Sequence, residues 1–150
     1  MRRVLVLLGS GFAASASPAL ADWQHTRWGM SVSEVVTSSA GEAAPVKGTD
    51  GDQVRGQDLG AEGTYDAGGF SFRSQFYFSP ISGGLSAIRL HPDDQRACPL
   101  LEREIRAVYS ASGRSEYYSA ERNLRVRITD GYGQCFLLYT PISPPNDTGL

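Results

Sequence analysis

Residues 70–78 read Phe70-Ser71-Phe72-Arg73-Ser74-Gln75-Phe76-Tyr77-Phe78. The even positions hold Phe, Phe, Ser, Phe and Phe, while the odd positions hold Ser, Arg, Gln and Tyr. A period of two belongs to a β-strand with one buried face, so the even set is expected in a core and the odd set toward water. Ser79-Pro80-Ile81-Ser82-Gly83-Gly84 has a turn composition, and Leu85 to Leu90 returns as the second strand of a hairpin.

Downstream, His91-Pro92-Asp93-Asp94 closes that strand. Pro99 is tolerated only in a first helical turn, which predicts a helix from Cys98 or Pro99 to Ala111 with Gly113 just past its end. Cys98, Leu101, Ile105, Val108 and Tyr109 recur at helical spacing on one face, and Glu102, Arg103 and Arg106 point away from it. Leu124 to Thr129 alternates again, Asp130-Gly131-Tyr132-Gly133 is a strong turn, and Gln134 to Thr140 is the last strand.

Upstream, Ser31-Val32-Ser33-Glu34 has the form of a capping box, with Met30 and Val35 spaced as a hydrophobic staple, and predicts a short helix over Val32 to Ser38. Residues 40–69 contain eight glycines and are expected to be mainly loop, with one possible strand from Asp58 to Tyr65. The order of helix, two or three strands, helix and two strands has no helix linking parallel strands. It implies an α+β fold: a single antiparallel sheet of four to five strands with two helices packed on one face.

The 150 residues, 41% hydrophobic and 20% charged, suit one globular domain. Met1-Arg2-Arg3, the apolar segment from Val4 to Ala14 and Ala19-Leu20-Ala21 form a secretory signal pattern, predicting removal of residues 1–21 before Asp22. The expected organisation is a signal at 1–21, one domain over 22–142 and a disordered Pro-rich tail at 143–150. Val4 to Leu8 is followed by Gly9-Ser10-Gly11, too short a run to span a bilayer, and no later stretch is apolar enough to do so. The mature chain is therefore expected in the periplasm or secreted medium, with no transmembrane segment.

Two cysteines, Cys98 and Cys135, allow a single intramolecular pairing, which an oxidising compartment favours as a disulfide. They lack the C-x-x-C spacing of a redox pair. His25 and His91 have no His or Cys at ligand spacing, and Asp50-Gly51-Asp52 lacks the third ligand and the closing Glu of a calcium loop, so no metal or other cofactor is expected. The mature balance is 12 − 16 = −4, which argues against nucleic acid as a partner. With no nucleophile–base pair evident, the chain does not read as an enzyme.

Strand parity instead singles out a surface. With the even positions of residues 70–78 facing the helices, Arg73 and Tyr77 face the other way, as do Leu85 and Arg89 on the next strand and Arg125 and Arg127 on a later one. A Cys98–Cys135 bridge turns Cys135, Leu137 and Tyr139 toward the helices and leaves Phe136 and Leu138 on the open side. Arg73, Tyr77, Arg89, Arg125, Arg127 and Phe136 are thus the expected binding residues, for an acidic protein surface or an anionic envelope component.

Trp23…Trp28-Gly29-Met30-Ser31-x-x-Glu34-Val35, the Phe-x-Phe strand, Leu85-x-x-Ile88-x-Leu90, Cys98 before a helix and Cys135-x-Leu137-x-Tyr139 together resemble small exported proteobacterial proteins of uncharacterised type. The implied architecture is similar to that of the small lipoprotein of the outer-membrane β-barrel assembly machine and of the β-lactamase inhibitory proteins. The resemblance spans most of residues 22–141 and brings no catalytic residues with it. This chain departs from the assembly lipoprotein in lacking a cysteine to carry a lipid. The expected function is that of an exported, non-catalytic binding or accessory protein of the bacterial cell envelope that uses an open sheet face; the alternative is an inhibitor of a secreted or periplasmic hydrolase.

Overall fold

A computed structural model of the chain describes residues 23–46 and 53–143. The expected signal, its cleavage site, Asp50-Gly51-Asp52 and all of the tail beyond Ser143 lie outside them. The elements run α1 (Val32–Ser38), β1 (Ala43–Pro45), β2 (Gln53–Val54), β3 (Gln57–Ala67), β4 (Phe70–Phe78), β5 (Leu85–Pro92), α2 (Cys98–Val108), β6 (Ser110–Gly113), β7 (Glu116–Ser119), β8 (Leu124–Gly131) and β9 (Gln134–Thr140). All the strands join one antiparallel sheet in the order β1-β3-β4-β5-β9-β8-β7-β6, with β2 folded back on β3.

Both helices start where local chemistry places them. Glu34 accepts from the Ser31 amide at 2.8 Å and the Ser31 hydroxyl accepts from the Glu34 amide at 3.3 Å, closing the capping box. Pro99 lies in the first turn of α2, where its missing amide hydrogen is not needed. Val35 from α1 and Cys98, Leu101 and Ile105 from α2 share a single core cluster with Phe72, Phe76, Phe78, Ile88, Leu90, Val126, Leu137 and Tyr139. The two helices therefore pack on the same side of the sheet.

The expected sheet of four to five strands is overturned: nine strands form among the described residues, and the fold is a mixed, mainly β one. Two stretches account for the difference. Residues 40–69, expected to be mainly loop, hold β1, β2 and the 11-residue β3. Within β3, Gly60 and Gly63 relieve crowding rather than breaking the strand. A Cβ on Gly63 would run into the Glu42 carbonyl of the passing chain, and one on Gly60 would lie 2.5 Å from the Phe78 ring. Gly63→Ala is accordingly expected to destabilise the protein by about 1–3 kcal/mol, read by urea unfolding, because the neighbour in the way is backbone.

The second stretch follows α2, which ends at Val108 rather than continuing to Ala111. Val108, expected on the buried face, is 69% exposed. Ser110–Gly113 then forms edge strand β6, fully exposed and without apolar alternation, so only its pairing with β7 defines it. Behind it, Tyr117 of β7 is buried, and its hydroxyl donates to Glu102 of α2 at 2.6 Å.

Cys98 and Cys135 are bridged, tying the start of α2 to the start of β9. The Gln95 side chain accepts from the Cys135 amide at 2.8 Å beside that link. The disulfide is in keeping with an oxidising compartment, and no helix among the described residues is long and apolar enough to cross a membrane.

Candidate functional site

Register puts all six expected binding residues on the sheet face away from the helices. Arg73 pairs with His91, Tyr77 with Ala87, Arg89 and Arg127 with Leu138, Arg125 with Thr140, and Phe136 with Thr129. Leu85 is the exception to the parity argument. A bulge between Tyr77 and Phe78 gives β5 one extra residue, so Leu85 pairs with Phe78 and joins the helix-side core instead of the open face.

That face is not open along its length. Tyr77 is fully buried, and it forms a second, smaller cluster with Ala87 and Leu138, against which Val54 and Leu59 pack. Val54 belongs to β2 and Leu59 to the first residues of β3, where a bulge between Leu59 and Ala61 interrupts the register with β4. The short β2–β3 hairpin thus lies over the far side of the sheet. Tyr77 is consequently a packing residue and not part of an exposed binding surface, which corrects the expectation from strand parity.

Beneath and beside this hairpin runs a polar network that has Gln75 at its centre. The buried Gln75 side-chain oxygen accepts from the Tyr77 hydroxyl at 3.2 Å and from Arg89 Nε at 3.0 Å, and His91 Nε2 lies 3.0 Å from it. The Gln75 amide nitrogen donates to Glu62 at 2.7 Å. Since a carbonyl oxygen only accepts, this geometry puts a hydrogen on His91 Nε2. The Arg89 guanidinium is stacked as well, 5.2 Å from the Tyr77 ring centre and 5.8 Å from that of Phe136. Gln75 and His91 carried no functional signal in the sequence, since an uncharged amide at an odd strand position reads as ordinary surface.

The four arginines divide into two pairs. Arg125 and Arg127 both reach Glu116 of β7, at 3.4 and 2.9 Å. The Arg127 hydrogen bond, ahead of the charges of Arg127, Arg125 and Arg55, holds the Glu116 carboxyl below the usual carboxylate range. Their charge is shared with a carboxylate that β7 supplies, a strand the sequence did not announce. Arg73 is exposed and has no ion pair or hydrogen bond among the described residues. It lies with Arg89, His91, Asp93, Gln134 and Phe136 around a groove of about 560 Å³ beyond the reach of the β2–β3 hairpin.

No group of three or more His, Cys, Asp or Glu side chains that could hold a metal ion occurs among the described residues. Comparison with known proteins returns no match: no family model, no curated protein and no solved structure.

Proposed function

We propose that this chain is an exported, non-catalytic binding protein of the bacterial cell envelope, and that an acidic protein surface docks in the groove between Arg73 and Phe136. The observation that carries the reading is the exposed Arg73 beside a guanidinium already stacked on Phe136. A cation that makes no ion pair among the described residues, placed next to a half-buried aromatic ring, has the mixed composition of an interface centre rather than of general surface. The disulfide and the signal pattern support an envelope location. Of the six residues read from the sequence, Arg73, Arg89 and Phe136 belong to this site, Arg125 and Arg127 form a paired flank, and Tyr77 is the support beneath it.

The test is a photocrosslinking amino acid at Gln134, an exposed position in the groove. The expected result in envelope preparations is a discrete protein adduct that falls about tenfold when Arg73→Glu is added, a loss of ~1.4 kcal/mol. The same probe at Arg103, exposed on α2, should not give it. An adduct indifferent to Arg73→Glu, one equally strong from Arg103, or none at all would overturn the reading.

A further inference from the structure

The helix side of the sheet contains a cavity that the width of the sheet makes necessary. The eight strands of the main path, at ~4.8 Å spacing, extend about 34 Å across. Two helices of about 10 Å diameter, one of only 7 residues and the other of 11, cannot roof that breadth. α1 packs over β1 and β3 and α2 over β8, and the gap that remains over the middle strands is walled on the helix side by Leu101, Glu104, Ile105 and Val108 of α2. The gap is partly filled by the buried Trp23, whose ring centre lies 4.9 Å from that of Tyr65 and 6.0 Å from that of Phe76. A cavity of about 470 Å³ remains, within the size range of small-molecule sites.

Its walls are apolar and largely buried, among them Phe72, Leu90, Leu101, Ile105 and Leu137. Three tyrosines, Tyr65, Tyr109 and Tyr139, supply hydroxyls to this lining. The Tyr65 oxygen accepts from Gln24 Nε2 and keeps its own hydrogen to donate. Tyr139 is the telling one. Only 7% of the residue is exposed, yet its hydroxyl has no hydrogen-bond partner among the described residues. Buried tyrosine hydroxyls normally find one, because leaving a polar group unpaired costs about 1–3 kcal/mol. The oxygen is also not sealed in protein: among the described residues, the fully enclosed side-chain polar atoms without a partner are His25 Nε2 and Gln57 Oε1. The exposure it retains is therefore toward the cavity that Tyr139 lines. Burial, and then the neighbouring Tyr109 and Tyr65, push the Tyr139 pKa up, so the group is a protonated donor at any physiological pH.

At the mouth stand Val108, exposed on the last turn of α2, and Arg122, exposed and with no ion pair or hydrogen bond among the described residues. The acidic group there, Glu104, lies 3.5 Å from Arg103. A lining with an apolar body, an idle phenol donor and an unanswered guanidinium at its edge matches a ligand with an apolar body and an acceptor oxygen. We propose that the cavity beside α2 binds a small amphipathic carboxylate or carbonyl compound, with its apolar body against Phe72, Leu90 and Leu137 and its oxygen taking the Tyr139 hydrogen. This site is independent of the Arg73 groove, which lies on the opposite face of the sheet.

Calorimetric titration of the purified protein with decanoate, below its micellar concentration, tests the assignment. Saturable binding of one equivalent is expected, at least tenfold tighter than that of decyltrimethylammonium, which has the same chain and no acceptor. Tyr139→Phe removes one oxygen and keeps the ring, and should weaken decanoate about tenfold while leaving decyltrimethylammonium unchanged. Val108→Trp, at an exposed position, should obstruct the mouth and lower the affinity for both without loss of fold. Absence of saturable decanoate binding, equal affinity for the two probes, or decanoate binding insensitive to both substitutions would overturn the proposal.

Discussion

Alanine at Phe76 and alanine at Tyr77 are each expected to destabilise the protein by about 3–5 kcal/mol, although the two residues point to opposite faces of β4. Phe76 is 1% exposed within the main core and Tyr77 is 0% exposed within the smaller cluster under the β2–β3 hairpin. Truncating either leaves a cavity that the surrounding strands cannot close, since each is held on both sides by ladder pairing. Tyr77→Ala also removes one donor from Gln75 and the ring over which Arg89 stacks. Arg73→Ala, on the same strand but exposed, should change stability by no more than about 0.5 kcal/mol. Chemical unfolding of the three variants separates the possibilities. A Tyr77→Ala variant as stable as Arg73→Ala would mean that the hairpin does not cover the sheet and that strand parity alone describes β4.

The second large effect is expected at the disulfide. The bridge closes 135 − 98 + 1 = 38 residues, for which loop-closure entropy amounts to roughly 4 kcal/mol in the unfolded chain. Cys98→Ala with Cys135→Ala should lower the unfolding free energy by about 2–4 kcal/mol. The loop it closes contains α2, β6, β7 and β8, so three of the nine strands lie between the bridged residues. Thiol labelling of the denatured, non-reduced protein should find neither cysteine free. Two labelled thiols, or a double variant within about 1 kcal/mol of the parent, would remove the bridge as a determinant of stability.

How far the sequence was legible depended on whether the signal for an element was local. The capping box of α1, the proline at the start of α2, the alternation in β4 and β8 and the turn from Asp130 to Gly133 each depend on neighbours within a few residues, and each forms where expected. β6 has no such signal. Ser110-Ala111-Ser112-Gly113 would suit a loop equally well, and it is a strand because Tyr117 is anchored to Glu102 and brings β7 alongside. In β3 the local signal was mixed: a possible strand from Asp58 to Tyr65 lay in a glycine-rich stretch expected to be mainly loop, and the strand forms over Gln57–Ala67. Gly60 and Gly63 read as breakers, while in the folded chain they are the residues small enough for Phe78 and the Glu42 backbone to approach.

The candidate site was legible only as a set of residues on one face. Period-two alternation and the single possible cysteine pairing were sufficient to place Arg73, Arg89, Arg125, Arg127 and Phe136 together, because side-chain direction in a strand is a matter of parity. What covers a face is not. The hairpin that buries Tyr77, the carboxylate that engages Arg125 and Arg127 and the gap that leaves the Tyr139 hydroxyl without a partner all arise between segments distant in the chain.

By itself, therefore, the sequence determined the two helices, the core face of β4, β8 and β9, and the disulfide, since capping, alternation and a count of two cysteines are properties of short stretches and small numbers. Only the tertiary structure decided how wide the sheet is, which arginines of the open face reach a carboxylate, and where space remains beside α2. Those outcomes depend on long-range pairing and on the mismatch between a sheet about 34 Å across and two short helices, and no local pattern records either.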